Sequence, residues 1–206
     1  MYEEVLPVLF FIKTGKPSCT SYLILGEKMK ILIDSGINQK FLMLKKDLEN
    51  IGIKTSQLNM IINTHEHVDH FGANIYLQQK VSILTHRYAA TKIMSADDEV
   101  LLCRAHGHDP KGYHVHLWME NTNVVDLGDW FLKVLHTPGH TSGSICIYEP
   151  RKKVLISGDT VFAKGTISDI SSSGSYGEYI NSLARLNTMK VDLLLPRHGK
   201  IFDFSG

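Results

Sequence analysis

Five apolar runs in this sequence each end in a cluster of polar side chains, and no other feature restricts the possible folds as strongly. Lys30-Ile31-Leu32-Ile33 ends in Asp34, Met60-Ile61-Ile62-Asn63 runs into Thr64-His65-Glu66-His67-Val68-Asp69-His70, and Leu132-Lys133-Val134-Leu135 ends in His136-Thr137-Pro138-Gly139-His140. Lys153-Val154-Leu155-Ile156 ends in Ser157-Gly158-Asp159, and Leu193-Leu194-Leu195 ends in Pro196-Arg197-His198. Short apolar runs bounded by turn signals read as buried strands. If such strands finish at one edge of a layered sheet structure, their loops meet there, and that is where rigid scaffolds carry chemistry.

The rest of the chain reads as sheet and helix around these runs. Val5 to Lys13, Ser21 to Leu25 and Lys30 to Asp34 predict a β-meander. From Asn38 the period changes, with Phe41, Leu44, Leu48 and Ile51 at helical spacing and Gly52 placed to end the helix. Leu58 to Asn63 and Val81 to Thr85 predict strands, with a short helix from Gly72 to Gln79 between them. A helix is expected from Tyr88 to Arg104, and residues 87 to about 123 read as an insertion or lid. Strands follow at Val124 to Leu127, Trp130 to Leu135, Ser144 to Tyr148 and Lys153 to Ser157, with a turn at Pro150-Arg151. Ser171 to Ser175 is expected to cap a helix from Tyr176 to Thr188 whose apolar positions are Ile180, Leu183 and Leu186, before a last strand from Val191 to Leu195. Neither a short repeat nor a linker divides the sequence, so residues 1–206 are expected to form a single domain.

Composition narrows the partners. With 22 Lys and Arg against 21 Asp and Glu, the net charge of +1 provides no general field for a polyanion, so nucleic acid is not an expected partner. No apolar stretch reaches membrane-spanning length, and Glu3 and Glu4 stand where a secretory signal would carry positive charge. Cys19, Cys103 and Cys146 show no CxxC spacing and leave one thiol over in any pairing, which fits a reducing, cytoplasmic setting. Histidine is the outlier, with 11 residues.

In His65-x-His67-x-Asp69-His70 the alternation suits an extended turn that turns every second side chain to one side, where three of them can face a metal ion. His70 falls out of that alternation and is free to reach a second ion beside the first. Neutral imidazole and carboxylate are the ligands that zinc, iron and manganese accept.

His65-Glu66-His67-Val68-Asp69-His70 is preceded by Asp34-Ser35-Gly36 and followed by Gly139-His140-Thr141, Gly158-Asp159-Thr160 and His198-Gly199. In these motifs and their order the sequence resembles the metallo-β-lactamase superfamily over residues 30 to 200. The resemblance implies an α/β (α+β) fold, a four-layer αββα sandwich with two metal ions at the edge where the loops meet. It puts His65, His67 and His140 on one ion, Asp69, His70 and His198 on the other, and Asp159 between them. Asp34 would orient a ligand and its loop. Two divalent ions, zinc first with iron or manganese as alternatives, lower the pKa of a shared water towards ~7. The hydroxide so formed would attack an electrophilic carbonyl, with Asp69 holding its proton and aiming it.

His136-Thr137-Pro138-Gly139-His140-Thr141-Ser142-Gly143 and Ser157-Gly158-Asp159-Thr160-Val161-Phe162 look most like the glyoxalase II group, which hydrolyses thioesters of glutathione. That group carries a C-terminal helical segment holding the glutathione site, whereas eight residues follow His198 here. The expected substrate is therefore a smaller thioester, ester or lactone. The alternative is a persulfide dioxygenase with a single iron on the positions of His65, His140 and Asp159. His106, His108, His114 and His116, with Asp109 among them, are expected on a solvated loop, the alternative being a further metal site. His86 and His136 are assigned to packing or supporting hydrogen bonds. Tyr113, Trp118 and Trp130 are expected in the core or at a pocket wall, and Lys164 and Arg197 are either candidates to meet a substrate carboxylate or exposed charges.

Overall fold

The computed structural model describes residues 1–162 and 166–204. The chain forms β1 (Tyr2–Leu6), β2 (Leu9–Lys13), β3 (Thr20–Leu25), β4 (Lys30–Ile33), α1 (Phe41–Ile51), β5 (Met60–Ile62), α2 (Val68–Phe71), β6 (Ser82–His86), α3 (Arg87–Ser95) and α4 (Asp98–Leu101). It continues through β7 (Leu117–Met119), β8 (Val124–Asp126), β9 (Phe131–His136), β10 (Ile145–Glu149), β11 (Val154–Gly158), α5 (Tyr176–Asn187), β12 (Leu193–Pro196) and β13 (Phe202–Asp203). Strands β1 to β7 make one sheet in sequence order, and the second sheet has the order β13-β12-β11-β10-β9-β8. The meander β1 to β4 is antiparallel, while β4, β5, β6 and β7 run parallel.

Alternation along each strand sorts its residues into layers. Ile31 and Ile33 of β4 join the core between the sheets, with Ile24, Ile62, Trp130, Val134, Ile147, Ile156 and Leu195. Leu32 points the other way and packs with Ile61 and Ile83 against Leu44 and Leu48 of α1. Behind the second sheet, Cys146, Leu155 and Leu194 cover Leu186 of α5. The result is the four-layer αββα sandwich. Strands buried on both faces read as unbroken apolar runs, which is why β4, β5 and β11 are legible without alternation.

Local differences from the sequence expectation have physical causes. Val5 to Lys13 is not one strand: Pro7-Val8 breaks it into a hairpin that sets Leu6 opposite Leu9, because proline offers no N–H to a ladder. The expected helix over 88–104 is two helices, separated where Ala96 takes a left-handed φ of 57° and Asp97 and Asp98 open α4. Carboxylates favour a helix start over a helix interior. Gly52 does end α1, with φ 96° and its N–H on Glu49 and Leu48 carbonyls. In α5 the buried face is Tyr179, Ser182 and Leu186, while Ile180 is exposed. Ser175 caps that helix, accepting from the Glu178 N–H. Strands β7 and β13, three and two residues long, carry too little pattern to be read from the sequence.

All three cysteines are buried and unbridged. No helix among the described residues is long and apolar enough to cross a membrane.

Candidate metal centre

The five apolar runs end together. Asp34 follows β4, His65 to His70 follow β5, His140 follows β9, Asp159 follows β11 and His198 follows β12. Their ligand atoms fall into three groups, each with all its atoms within 4.8 Å of one another: His65, His67 and His140; His65, His70 and Asp159; and Asp69, His70 and His198. The His70 Nε2 lies 3.6 Å from both Asp69 Oδ2 and Asp159 Oδ2. His198 Nε2 is 3.6 Å from Asp159 Oδ2 and 3.9 Å from Asp69 Oδ2, and His140 Nε2 is 3.8 Å from Asp159 Oδ2. All seven residues that the resemblance assigns to metal therefore meet in one place, with Asp159 between the two triads.

The alternation expected over residues 65 to 69 stops at His67. That residue is extended, with φ −77° and ψ 139°, and α2 begins at Val68, so helical geometry sets Asp69 and His70.

Ring orientations are fixed from behind. His140 Nδ1 lies 2.5 Å from the Asp169 carbonyl, so this nitrogen carries the proton and Nε2 is left bare for a ligand role. Thr64 Oγ1 stands 3.1 Å from His70 Nδ1 and 3.3 Å from His65 Nδ1. Gly139 turns the chain into His140 with φ +145°, and a Cβ there would stand 2.4 Å from Tyr179 Cα.

Asp34 is fully buried beneath the cluster. Its Oδ1 accepts from the Thr64 N–H at 2.7 Å, and its Oδ2 accepts from Thr64 Oγ1 at 2.7 Å and from Arg197 Nη1. Oδ2 also lies 3.5 Å from His70 Nδ1. Asp34 thus acts through Thr64 and His70, as a positioning residue. Arg197 is the corresponding correction: it is fully buried against Asp34, 2.7 Å from His70 Nδ1, and not a surface charge waiting for a substrate. Lys164, the other cationic candidate, lies outside the described residues.

Glu66 is the residue that sequence reasoning missed. It is fully buried, and it accepts from Thr141 Oγ1 at 2.8 Å, Ser173 Oγ at 3.1 Å and the Gly143 N–H at 3.3 Å. One carboxylate thereby ties the histidine turn of the first sheet to two loops of the second. The available signal was its place between His65 and His67, where alternation turns it away from the ligands.

The other candidates sort by burial. Trp130 and Tyr113 are core, the latter against Phe71 with ring centroids 4.8 Å apart, whereas Trp118 is exposed. His86 is buried and stacks on His136 at 3.8 Å, a packing role. His114 and His116 are exposed, and His106 and His108 half-buried. Among the described residues, every metal-competent group lies in the cluster above and none in the 106–116 segment.

The electrostatics suit cations. Burial, reinforced by the neighbouring His70, His67 and His140 rings, holds His65 well below the ordinary imidazole range. Burial and then His140 bring His67 to about 3, and burial lowers His198. Burial opposes ionisation of Asp159, but His70, His198 and His140 outweigh it and bring the carboxyl to about 2. Burial raises Asp69. His70 runs the other way: burial disfavours its charged form, yet Asp69 and Asp159 hold its pKa well above the usual value. The neutral His65 and His67 rings and the ionised Asp159 carboxylate are already deprotonated as ligands must be, whereas His70 gives up its proton when a cation takes its Nε2. The Nε2 atoms of His65, His67 and His70 and the Oδ1 of Asp159 are buried with no hydrogen-bond partner among the described residues. Unpaired buried polar atoms are costly, and a cation would satisfy all four, so the residues fit a metal.

A stability consequence follows for the metal-free protein. Unfolded histidines titrate near ~6.5, whereas folded His65 and His67 stay neutral far below that. Below that pH the unfolded forms of these two residues bind more protons than the folded ones, so stability falls as pH drops from about 6.5 towards about 3, while the raised pKa of His70 works in the opposite sense only above ~6.5. The urea midpoint of chelator-treated protein is expected to be lower at pH 4.5 than at pH 7.5. Equal midpoints would contradict the assignment of neutral, buried rings.

Comparison with known proteins identifies the family. A probable metallo-hydrolase of Methanocaldococcus jannaschii is 36% identical over 195 residues, covering 90% of each chain. An acyl-coenzyme A thioesterase of Homo sapiens is 27% identical over 205 residues, covering 88% of this chain and 73% of that one. A hydroxyacylglutathione hydrolase of Pelagibacter ubique is 29% identical over 149 residues, covering 72% of this chain and 52% of that one. Among solved structures, a metallo-β-lactamase family protein of Thermus thermophilus superimposes with a TM-score of 0.81 at 19% identity, covering 97% of this chain and 76% of that one. The model of the metallo-β-lactamase superfamily matches residues 14–198. The chain belongs to the metallo-β-lactamase superfamily, a hydrolase-type family of metal-binding proteins with glyoxalase II-like relatives.

Proposed function

We propose that this protein hydrolyses a small thioester, ester or lactone with two divalent ions, zinc first, held in the cluster. The observation that carries this reading is the set of three overlapping ligand groups, in which His65, His67 and His70 Nε2 and Asp159 Oδ1 are buried with no hydrogen-bond partner among the described residues. His65, His67 and His140 would hold one ion, and Asp69, His70 and His198 the other, with Asp159 reaching both. Bound there, such ions supply Lewis acidity and ionise water near neutral pH.

The chain's own residues do the rest. Asp69, its pKa raised by burial, accepts the hydrogen bond of the attacking water and aims it at the substrate carbonyl. Asp34 and Thr64 hold the His70 ring, and Glu66 keeps the histidine turn and the His140 loop together. The names of two relatives, an acyl-coenzyme A thioesterase and a hydroxyacylglutathione hydrolase, support a thioester as substrate. We place the protein in the cytoplasm, where three free thiols persist.

The test pairs elemental analysis, after growth with zinc, iron and manganese supplied, with turnover of thioester, lactone, β-lactam and phosphodiester substrates. The expected result is close to two ions per chain and hydrolysis of a thioester, ester or lactone. Absence of metal, or one iron per chain with oxygen uptake on glutathione persulfide and no hydrolysis, would overturn it.

A further inference from the structure

A cavity of about 420 Å³ opens beside the metal centre, lined by Lys13, Lys16, Pro17, Ser18, Thr20, Arg197, His198 and Gly199. It lies within the usual range for a small-molecule site. Its floor is fixed to the centre: the Cys19 N–H donates to the Asp69 carbonyl and the Thr20 N–H to the Arg197 carbonyl, both at 3.3 Å. His198, whose Nε2 faces Asp69 and Asp159, is half-exposed and shared by the cavity and the cluster.

The charge of this lining has one sign. Among the described residues no carboxylate lines the cavity, and the exposed Lys13 and Lys16 have no ion-pair partner. Ser18 Oγ accepts from the Ile37 N–H at 3.1 Å and so keeps its own proton to donate. A chain whose net charge is only +1 has thus gathered two unpaired ammonium groups at one mouth of its site.

We propose that this cavity is a subsite for an anionic group of the substrate, a carboxylate or a phosphate, seated on Lys13 and Lys16 while the reacting carbonyl lies at the cluster. The assignment rests on the hydrolase reading for what happens at that carbonyl, but the anion grip is separable from it. Lys13 and Lys16 then select substrates by charge, through attraction that salt weakens.

Binding and turnover are measured separately on the metal-loaded protein. Calorimetric titration uses non-hydrolysable thioethers of three thiols: glutathione, which carries carboxylates; coenzyme A, which carries phosphates; and uncharged N-acetylcysteamine. The wild type is expected to bind at least one anionic thioether about tenfold or more tighter than the neutral one, and K13Q/K16Q to lose most of that preference. Which anionic thioether wins distinguishes carboxylate from phosphate. No preference in the wild type, or a preference that survives in K13Q/K16Q, would overturn the subsite. The matching thioesters read turnover, where the anionic-to-neutral ratio of kcat/KM should fall about tenfold in the variant. Charge-selective binding without any hydrolysis would sink the hydrolase reading alone, and hydrolysis indifferent to charge would sink the subsite alone.

Discussion

His65→Ala is expected to lose most of its metal and its turnover together, by a factor of at least ~100, beyond the 10–100-fold typical of groups that only support a ligand. The reason is its place in the cluster. His65 belongs both to the group with His67 and His140 and to the group with His70 and Asp159, so one substitution depletes two of the three ligand groups. Metal content by elemental analysis and turnover on the best substrate provide the measurement. A variant with full metal and full activity would mean that the ring packs beside the centre and does not serve it.

The second large effect concerns stability. Arg197→Met should destabilise the metal-free protein by about 3 kcal/mol, at the low end of what breaking a buried ion pair costs. Asp34 and Arg197 are both fully inaccessible, so deleting the guanidinium removes the cation paired with an interior carboxylate. The low end applies because Thr64 still donates to both carboxylate oxygens. Urea denaturation at pH 7 measures it, and the double variant with Asp34→Asn should cost less than the sum of the two single changes. A loss below about 1 kcal/mol, or strict additivity, would show that the pair is not coupled as its geometry indicates.

Much of this is legible from the sequence, because buried strands leave apolar runs and ligands must stand at their ends. Asp34, the His65 to His70 cluster, His140, Asp159 and His198 can be picked out because each stands in the short segment that follows such a run. The break at Pro7-Val8 and the split between α3 and α4 are harder, since hydrophobic spacing continues across both while one proline and one left-handed alanine decide the outcome. Glu66 and Arg197 escape a sequence reading for a common reason. A charged side chain in sequence looks solvated, and only the three-dimensional arrangement reveals four hydroxyl and amide donors around one, or a buried carboxylate beneath the other. Interior charge is rare unless compensated, and compensation by residues more than 70 positions away leaves no local trace.

The cluster draws His65, His67, Asp69 and His70 from the turn and helix α2 that follow β5 of the first sheet, and His140, Asp159 and His198 from loops of the second. A cation seated there is a rivet through both leaves of the sandwich. Neither leaf alone supplies every member of any of the three ligand groups, so a cation held by one of them would link the two. Each bound ion in turn resists their parting by an amount that grows with the logarithm of its free concentration, about 2.7 kcal/mol at a hundredfold excess over its dissociation constant. How tightly the protein holds its shape is then a reading of how much metal surrounds it.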